Sequence, residues 1–278
     1  MKFTAATSQR FVVTFLWLIT AITILVLLFI IAYILSHGLS HITWSFLTES
    51  SRKMGREGGI FPMIIGTIII AGLAVLIAAP VGVLTTIYLT EYTREGKLTA
   101  IIRFGTDCLA AIPSIIFGLF GFVFFVVVLH MGFSILAGAL TLAIMILPTI
   151  IRTSEEAIRA VPNAYREVSY GLGSTKWQMV TKVVLKSALP GIGTGIVLSI
   201  GRCISETAAV MLTAGSALRM PNSPFASSRT LSLHFYILSR EGISMENAYA
   251  TASVLIITIL VINIIAYLLM RKLVAKVR

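Results

Sequence analysis

Charge is scarce in this chain. Only 12% of its 278 residues are charged, about half the share of an ordinary soluble domain, and that scarcity excludes a soluble globular fold. Acidic residues are the scarcer sign: 11 Asp and Glu stand against 22 Lys and Arg. The basic residues are spread over connections rather than gathered with aromatics into a patch, which argues against nucleic-acid binding. The two cysteines, Cys108 and Cys203, lack metal-ligand spacing and read as small buried apolar residues. A P-loop is also missing: GLGSTK at Gly171 to Lys176 lacks the Gly-Lys-Ser/Thr ending that cradles phosphates, so the chain does not hydrolyse ATP itself. No nucleophile–base pair or metal constellation stands out, so neither catalysis nor a cofactor is expected.

What is abundant is apolar. The chain is 57% hydrophobic with a mean hydropathy of +0.97. A helix needs roughly 20 apolar residues to cross the hydrocarbon core. Six runs qualify: Phe11 to Leu35, Ile60 to Thr90, Asp107 to Leu129, Phe133 to Ile151, Ala188 to Ala214 and Tyr249 to Met270. The expected fold is an all-α membrane protein of six transmembrane helices. The first run is too long for a signal-peptide core and reads as a retained anchor. With both termini in the cytoplasm, inside segments hold 15 basic residues and outside loops hold 6, which favours that orientation. Pro80, Pro113 and Pro148 bend their spans. They suit either neighbours that re-satisfy the backbone or a bundle that changes shape.

The run GIGTGIVLSIGRCISETAAVMLTAG, Gly191 to Gly215, carries Arg202 and Glu206 where charge is expensive. At ~100° per residue, Gly191, Gly195, Ser199, Arg202, Glu206, Ala209 and Thr213 fall on one stripe. Small residues there suit close helix packing, which covers Gly191 and Gly195. Arg202 and Glu206, spaced i, i+4, are placed to pair. They are either a structural ion pair or, with Ser199 and Thr213, the lining of a polar path.

The connection RTSEEAIRAVPNAYREVSYGLGSTKWQMVTKVVLKSALPG is too long for a turn. Pro162 stops what precedes it, and Asn163 is expected to cap a short helix that ends at Gly173. That helix carries an apolar stripe of Tyr165, Val168 and Leu172. A second short helix is expected to place Trp177, Val180 and Val184 on one face. Such helices lie flat on the inner leaflet, helped by Lys176, Lys182 and Lys186, or dock a soluble partner.

This connection resembles the cytoplasmic signature of ABC-importer permeases: EAA, three residues, Gly, nine residues, I-x-L-P. Glu167-Val168-Ser169 stands for EAA, Gly173 follows at the right spacing, and Val183 and Leu185 match the next positions. Lys186 replaces the pattern's proline, and Pro190 comes four residues later. GGIFPMIIGTIII from Gly58, AAIPSIIFGLFG from Ala110, LPTIIRTSEEAIRAVP from Leu147 and GRCISETAAVMLTAG from Gly201 are similar to the A-type membrane subunits of bacterial phosphate-specific ABC importers. C-type sister subunits share several of these segments.

The resemblance implies a MetI-like permease fold with cytoplasmic coupling helices, in a bacterial or archaeal cytoplasmic membrane. Residues 1–58 would form the first helix and outside loop. Residues 59–278 would form a five-helix core with a coupling loop at 152–187 and an outside loop at 215–247. It implies a heterodimer with a sister permease, a dimeric cytoplasmic ATP-binding subunit and an extracytoplasmic phosphate-binding protein, with phosphate as substrate and lipid around. The coupling residues would be Tyr165, Arg166, Glu167, Val168, Leu172, Gly173 and Trp177. Rival readings are a permease for another oxyanion such as tungstate, an ion-coupled secondary transporter or channel using Arg202 and Glu206 as a proton relay, and an intramembrane enzyme.

Overall fold

The computed structural model describes residues 5–94 and 96–277. Five helices in it are long and apolar enough to cross a bilayer, and a sixth candidate is a bent pair. The first, α1 (Ala5–Gly38), is exposed along almost its whole length and leans on the last helix, α12 (Met245–Val277). A side chain at Gly38 would run into Ser253 and the Tyr249 carbonyl, so glycine permits that approach. Ser253 Oγ donates to the Ile34 carbonyl at 3.3 Å, and the Tyr33 and Tyr249 rings meet edge to face at 6.1 Å.

The connection that follows holds a short helix, α2 (Trp44–Thr48), and a two-stranded antiparallel hairpin, β1 (Ser51–Arg52) with β2 (Glu57–Gly58), in register Ser51 to Gly58. Thr43 caps α2 by accepting from the Phe46 amide.

The core is built on α3 (Phe61–Ile87) and α6 (Ile135–Arg159). Pro62 starts α3 where its missing N–H costs nothing. Ile70, Ala74 and Ala78 of α3 pack on Leu142, Ile146 and Ile150 of α6. Both sets recur at four-residue spacing, the interval that keeps side chains on one helix face. Gly82 sits against Ile150, and Thr86 Oγ1 donates to the Ile151 carbonyl at 3.1 Å. Ser134 caps α6 by accepting from Ala137 N, while Ile135 N and Leu136 N donate to Ala226 O and Pro224 O of a later loop. Amides that would otherwise lack partners at a helix start are thus satisfied.

Two expected spans differ from the sequence reading. Asp107 to Leu129 is not one helix. Pro113 forces Ile112 into extended backbone (φ −72°, ψ 131°). So α4 (Lys97–Ala111) stops, and α5 (Ser114–Gly121), continued by a π-helical stretch Phe122–Val128, leaves at 101°. Ion pairs of 2.8 Å (Arg103–Glu155) and 3.4 Å (Arg152–Asp107) tie α4 to α6. Cys108, expected to be buried, is exposed on α4, whereas Cys203 is buried.

Ala188 to Ala214 is not one helix either. The segment expected to be a separate cytoplasmic helix, α8 (Lys176–Met179), runs through a π-helical turn, Val180–Val184, straight into α9 (Leu185–Ser205). Val180 and Val184 are buried against Ile158, Met179 and Ile192, while Trp177 stays exposed, so the three do not share one exposed face. Beyond Ser205 the chain breaks, and α10 (Ala208–Thr213) begins.

Candidate functional site

The first half of α9 lies antiparallel to α6. A Cβ on Gly191 would meet Ala157, and one on Gly195 would overlap Thr153. The pairings step four residues forward on α9 and four back on α6, so these glycines bring the two backbones together as the stripe anticipated. Ser199 continues that buried face, its Oγ donating to the Gly195 carbonyl at 2.9 Å. Arg202, on the next turn, is half-buried, and its Nη1 donates to Thr149 Oγ1 of α6 at 3.4 Å.

The expected pairing of Arg202 with Glu206 is not formed. Glu206 has extended backbone (φ −73°, ψ 131°), so helical i, i+4 geometry ends at Ser205. Its carboxylate instead points along the chain and accepts from the Ala209 amide at 3.2 Å, capping α10. Thr213, expected on the same open stripe, is fully buried, and its Oγ1 donates to the Ala209 carbonyl at 2.6 Å. Ser199 and Thr213 are therefore packed inside this chain with their hydroxyls committed, away from any open lining.

The break explains why both charges are tolerated. Arg202 is in the last turn of α9, where the helix dipole presents its negative end, and Glu206 precedes the first turn of α10, where it presents the positive end. Each is favoured there by about 0.3–1 kcal/mol at exposed sites and up to about 2 kcal/mol when partly buried. The interrupted backbone is also repaired. Ser232 Oγ of α11 (Leu231–Arg240) donates to the Ser205 carbonyl at 2.9 Å and touches Thr207 Oγ1. Irregular backbone at membrane depth survives where protein satisfies it in this way.

The cap over the break holds two buried groups, Arg229 and His234. Arg229 is 4% exposed; its Nε donates to the Ser216 carbonyl at 3.0 Å and its Nη1 lies 3.2 Å from His234 Nδ1. Burial, and then the neighbouring Arg229 charge, pushes His234 down to about 3, so it is neutral and accepts from the guanidinium. Burial also lowers Arg229, with Glu241 opposing.

Between α6 and α8 the connecting helix α7 (Asn163–Gly171) forms, capped by Pro162 rather than Asn163. Proline's fixed φ of −58° fits this non-helical position, which moves Asn163 into the first turn. Tyr165, Val168 and Leu172 are exposed, Leu172 by 84%, and Glu167 and Trp177 are exposed too. Gly173 has φ +77°, a backbone that ends the helix and disfavours any side chain. A groove of about 870 Å³ runs beside Tyr165, Val168 and Leu172, with Lys182 and Lys186 on its far wall. Arg166 differs from the exposed set. It turns inward and donates to Glu91 at the end of α3 and to the Val161 and Ile158 carbonyls.

Neither Thr149 nor Glu91 was singled out from the sequence. Thr149 follows Pro148 in an apolar run, and Glu91 ends a span, so pattern alone marks neither.

A sequence model of the family described as binding-protein-dependent transport system inner membrane components matches residues 78–278. The Probable ABC transporter permease protein YqgI of Bacillus subtilis (strain 168) is 34% identical over 266 residues, covering 90% of each chain. The Phosphate transport system permease protein PstA of Pasteurella multocida (strain Pm70) is 34% identical over 245 residues, covering 86% of each. Among solved structures, a chain of a bacterial alginate ABC transporter superposes with a TM-score of 0.71 at 17% identity, covering 96% of both chains. A chain of the inward-facing MetNI methionine ABC transporter superposes at 0.60 with 23% identity, covering 77% of this chain and 94% of that one.

Proposed function

We propose, on the premise that this chain belongs to the family of binding-protein-dependent transport system inner membrane components, that it is the A-type membrane subunit of an ATP-driven importer of inorganic phosphate. Residues 1–58 serve as a peripheral arm and residues 59–278 as the permease core. Both termini face the cytoplasm of a bacterial cell, on the 15 to 6 distribution of basic residues.

The observation that carries the anion reading is Arg202. It is a half-buried guanidinium beside a helix break, with the Thr149 hydroxyl near it and no carboxylate in ion-pair range among the described residues. Phosphate carries between one and two negative charges at neutral pH. A fork of N–H donors replaces water lost on entering a narrow path with directed, charge-assisted hydrogen bonds. A path must also release what it binds. Glu206, across the break, offsets the positive field, and a second arginine comes from a sister permease. Gly191 and Gly195 hold the α6–α9 seam beneath Arg202, Ser199 continues that face, and Thr213 is buried in α10.

Hydrolysis of ATP belongs to a separate cytoplasmic ATPase dimer. Tyr165, Glu167, Val168, Leu172 and Trp177 form the exposed surface that meets it, with Gly173 shaping its end. An extracytoplasmic binding protein delivers phosphate to the outside cap. The broken helix at Glu206 is also a feature of ion-coupled carriers, but the match of residues 78–278 to the binding-protein-dependent permease family favours the importer.

The test is co-reconstitution with the sister permease, the ATPase and the binding protein in proteoliposomes. ATP-driven phosphate uptake that excess tungstate does not suppress is the expected result. Uptake suppressed by tungstate would assign the other oxyanion, and uptake driven by a proton gradient without the ATPase would favour the carrier.

A further inference from the structure

The connecting helix α7 turns two polar side chains toward its own chain, Arg166 and Ser169, three residues apart on one face. Ser169 bonds locally, its Oγ 2.6 Å from Ser174 Oγ. Arg166 reaches a different helix. Its Nη2 and Nε lie 2.7 and 3.2 Å from Glu91 Oε1. The pair is nearly shut off from solvent, with the Arg166 side chain 18% exposed and the Glu91 side chain 7%. The same guanidinium holds the Val161 carbonyl at 2.7 Å and the Ile158 carbonyl at 3.1 Å, which fixes its direction.

Glu91 lies in the π-helical turn Tyr88–Tyr92 that ends α3. The adjacent residue, Tyr92, receives a second cation from the same loop: Lys176 Nζ sits 5.0 Å from its ring centroid. This turn, which follows α3 directly, thus takes contacts from both α7 and α8. From that turn the packing continues inward, because Thr86 bonds the Ile151 carbonyl and Gly82 seats Ile150 of α6. The next α6 residue toward the outside, Thr149, is the partner of Arg202.

We propose that the Arg166–Glu91 pair is the positioning contact through which displacement of α7 is passed to α3, and through the α3–α6 packing to the Arg202 region. The inference rests on the coupling role given to α7 above. Arg166 is then no part of the surface that meets the ATPase. It is the inner face of the same helix, and it ties that surface to the membrane core. An exposed apolar stripe on a helix with no rigid tie would move without moving the spans; a shielded, multiply bonded ion pair supplies that tie. A chain of contacts becomes a coupling path only on coupling evidence, which a double-mutant cycle provides.

The cycle uses Glu91→Ala, Arg166→Ala and the double variant, with Glu91→Gln as a milder fourth, each in the full complex with sister permease, ATPase and binding protein. Three quantities are read at equal complex yield: ATP hydrolysis, phosphate uptake, and their ratio. Each single variant is expected to lower phosphate moved per ATP about tenfold while the complex still hydrolyses ATP. The double variant is expected to be no worse than either single. Ratios at the wild-type value in Glu91→Ala and Glu91→Gln overturn the proposal. So does a double variant whose loss is the product of the two singles, because the residues then act independently. A wild-type complex that hydrolyses ATP but moves no phosphate would instead refute the functional reading, so the two failures are distinguishable.

Discussion

The α6–α9 seam makes a quantitative demand on one methyl group. A Cβ at Gly195 would overlap Thr153 Oγ1 and lie 2.8 Å from Thr153 Cβ. Thr153 has little freedom to yield, because its hydroxyl is bonded to the Thr149 and Ile150 carbonyls at 2.8 and 3.3 Å. Overpacking of this kind costs about 1–3 kcal/mol. Against it stands the gain of about 1 kcal/mol from replacing a helical glycine by alanine. Gly195→Ala should therefore destabilise the chain by about 0–2 kcal/mol. Gly201, on the same helix, supplies the control. A Cβ there meets only Asn263, at 3.9 Å, an ordinary contact. Gly201→Ala should be neutral or stabilising by up to about 1 kcal/mol. The difference between the two variants isolates the steric cost and should equal about 1–3 kcal/mol, read as a several-degree gap in thermal unfolding of the purified protein in one detergent. Equal unfolding temperatures for Gly195→Ala and Gly201→Ala would show that α6 and α9 have slack, and the seam would not then fix Arg202.

Other outcomes follow from the exposed helix α7 and the cap around His234. Val168→Asp should leave the chain inserted and folded, since Val168 is 62% exposed. It should reduce co-purification with the ATPase and uptake by at least tenfold. Gly173→Pro should do the same, because proline fixes φ near −65° where the backbone needs +77°; full uptake in either variant would contradict the coupling role of α7. Acidification should weaken the cap around Arg229 and His234. His234 is neutral in the folded chain down to about 3, whereas an unfolded chain protonates it near 6.5. The unfolded state therefore takes up a proton that the folded state refuses. Stability is unaffected above pH 6.5 and falls as pH drops toward 3, by about 2 kcal/mol at pH 5 and at most about 5 kcal/mol in full. Between pH 7.5 and 5 the wild type should lose about 2 kcal/mol more stability than His234→Gln, because the carboxylate effects are common to both and only the wild type carries the imidazole. Identical slopes for the two would remove His234 from the account.

Hydropathy and charge placement made the membrane spans readable, because a bilayer leaves a helix few alternatives to a long apolar run. The exposed stripe on α7 and the glycine contacts of α9 follow from local spacing, whereas a first helix set apart from the core came only with the family resemblance. The two interruptions did not. Pro113 was visible as a bend, but a bend and a 101° corner look alike in sequence, and the corner depends on how Arg103 and Asp107 of α4 meet α6. At Glu206 no proline or glycine marks the break. The available signal was Thr207 ahead of the apolar run AAVML, which reads as a helix start. The continuous hydrophobicity around it hid that signal. Arg166 was grouped with the docking residues because it lies among them in sequence; only the fold shows that its side chain leaves on the inner face.

The account turns on Arg202 as an anion-binding group beside the broken helix. The direct measurement is ATP-driven phosphate uptake by complexes of equal yield carrying wild-type chain, Arg202→Ala or Arg202→Lys. The account predicts that Arg202→Ala assembles normally and loses uptake at least a hundredfold, and that Arg202→Lys recovers little because an ammonium lacks the planar fork. Wild-type uptake by Arg202→Ala would mean that the guanidinium serves only the Thr149 contact and the helix end, and that phosphate passes elsewhere.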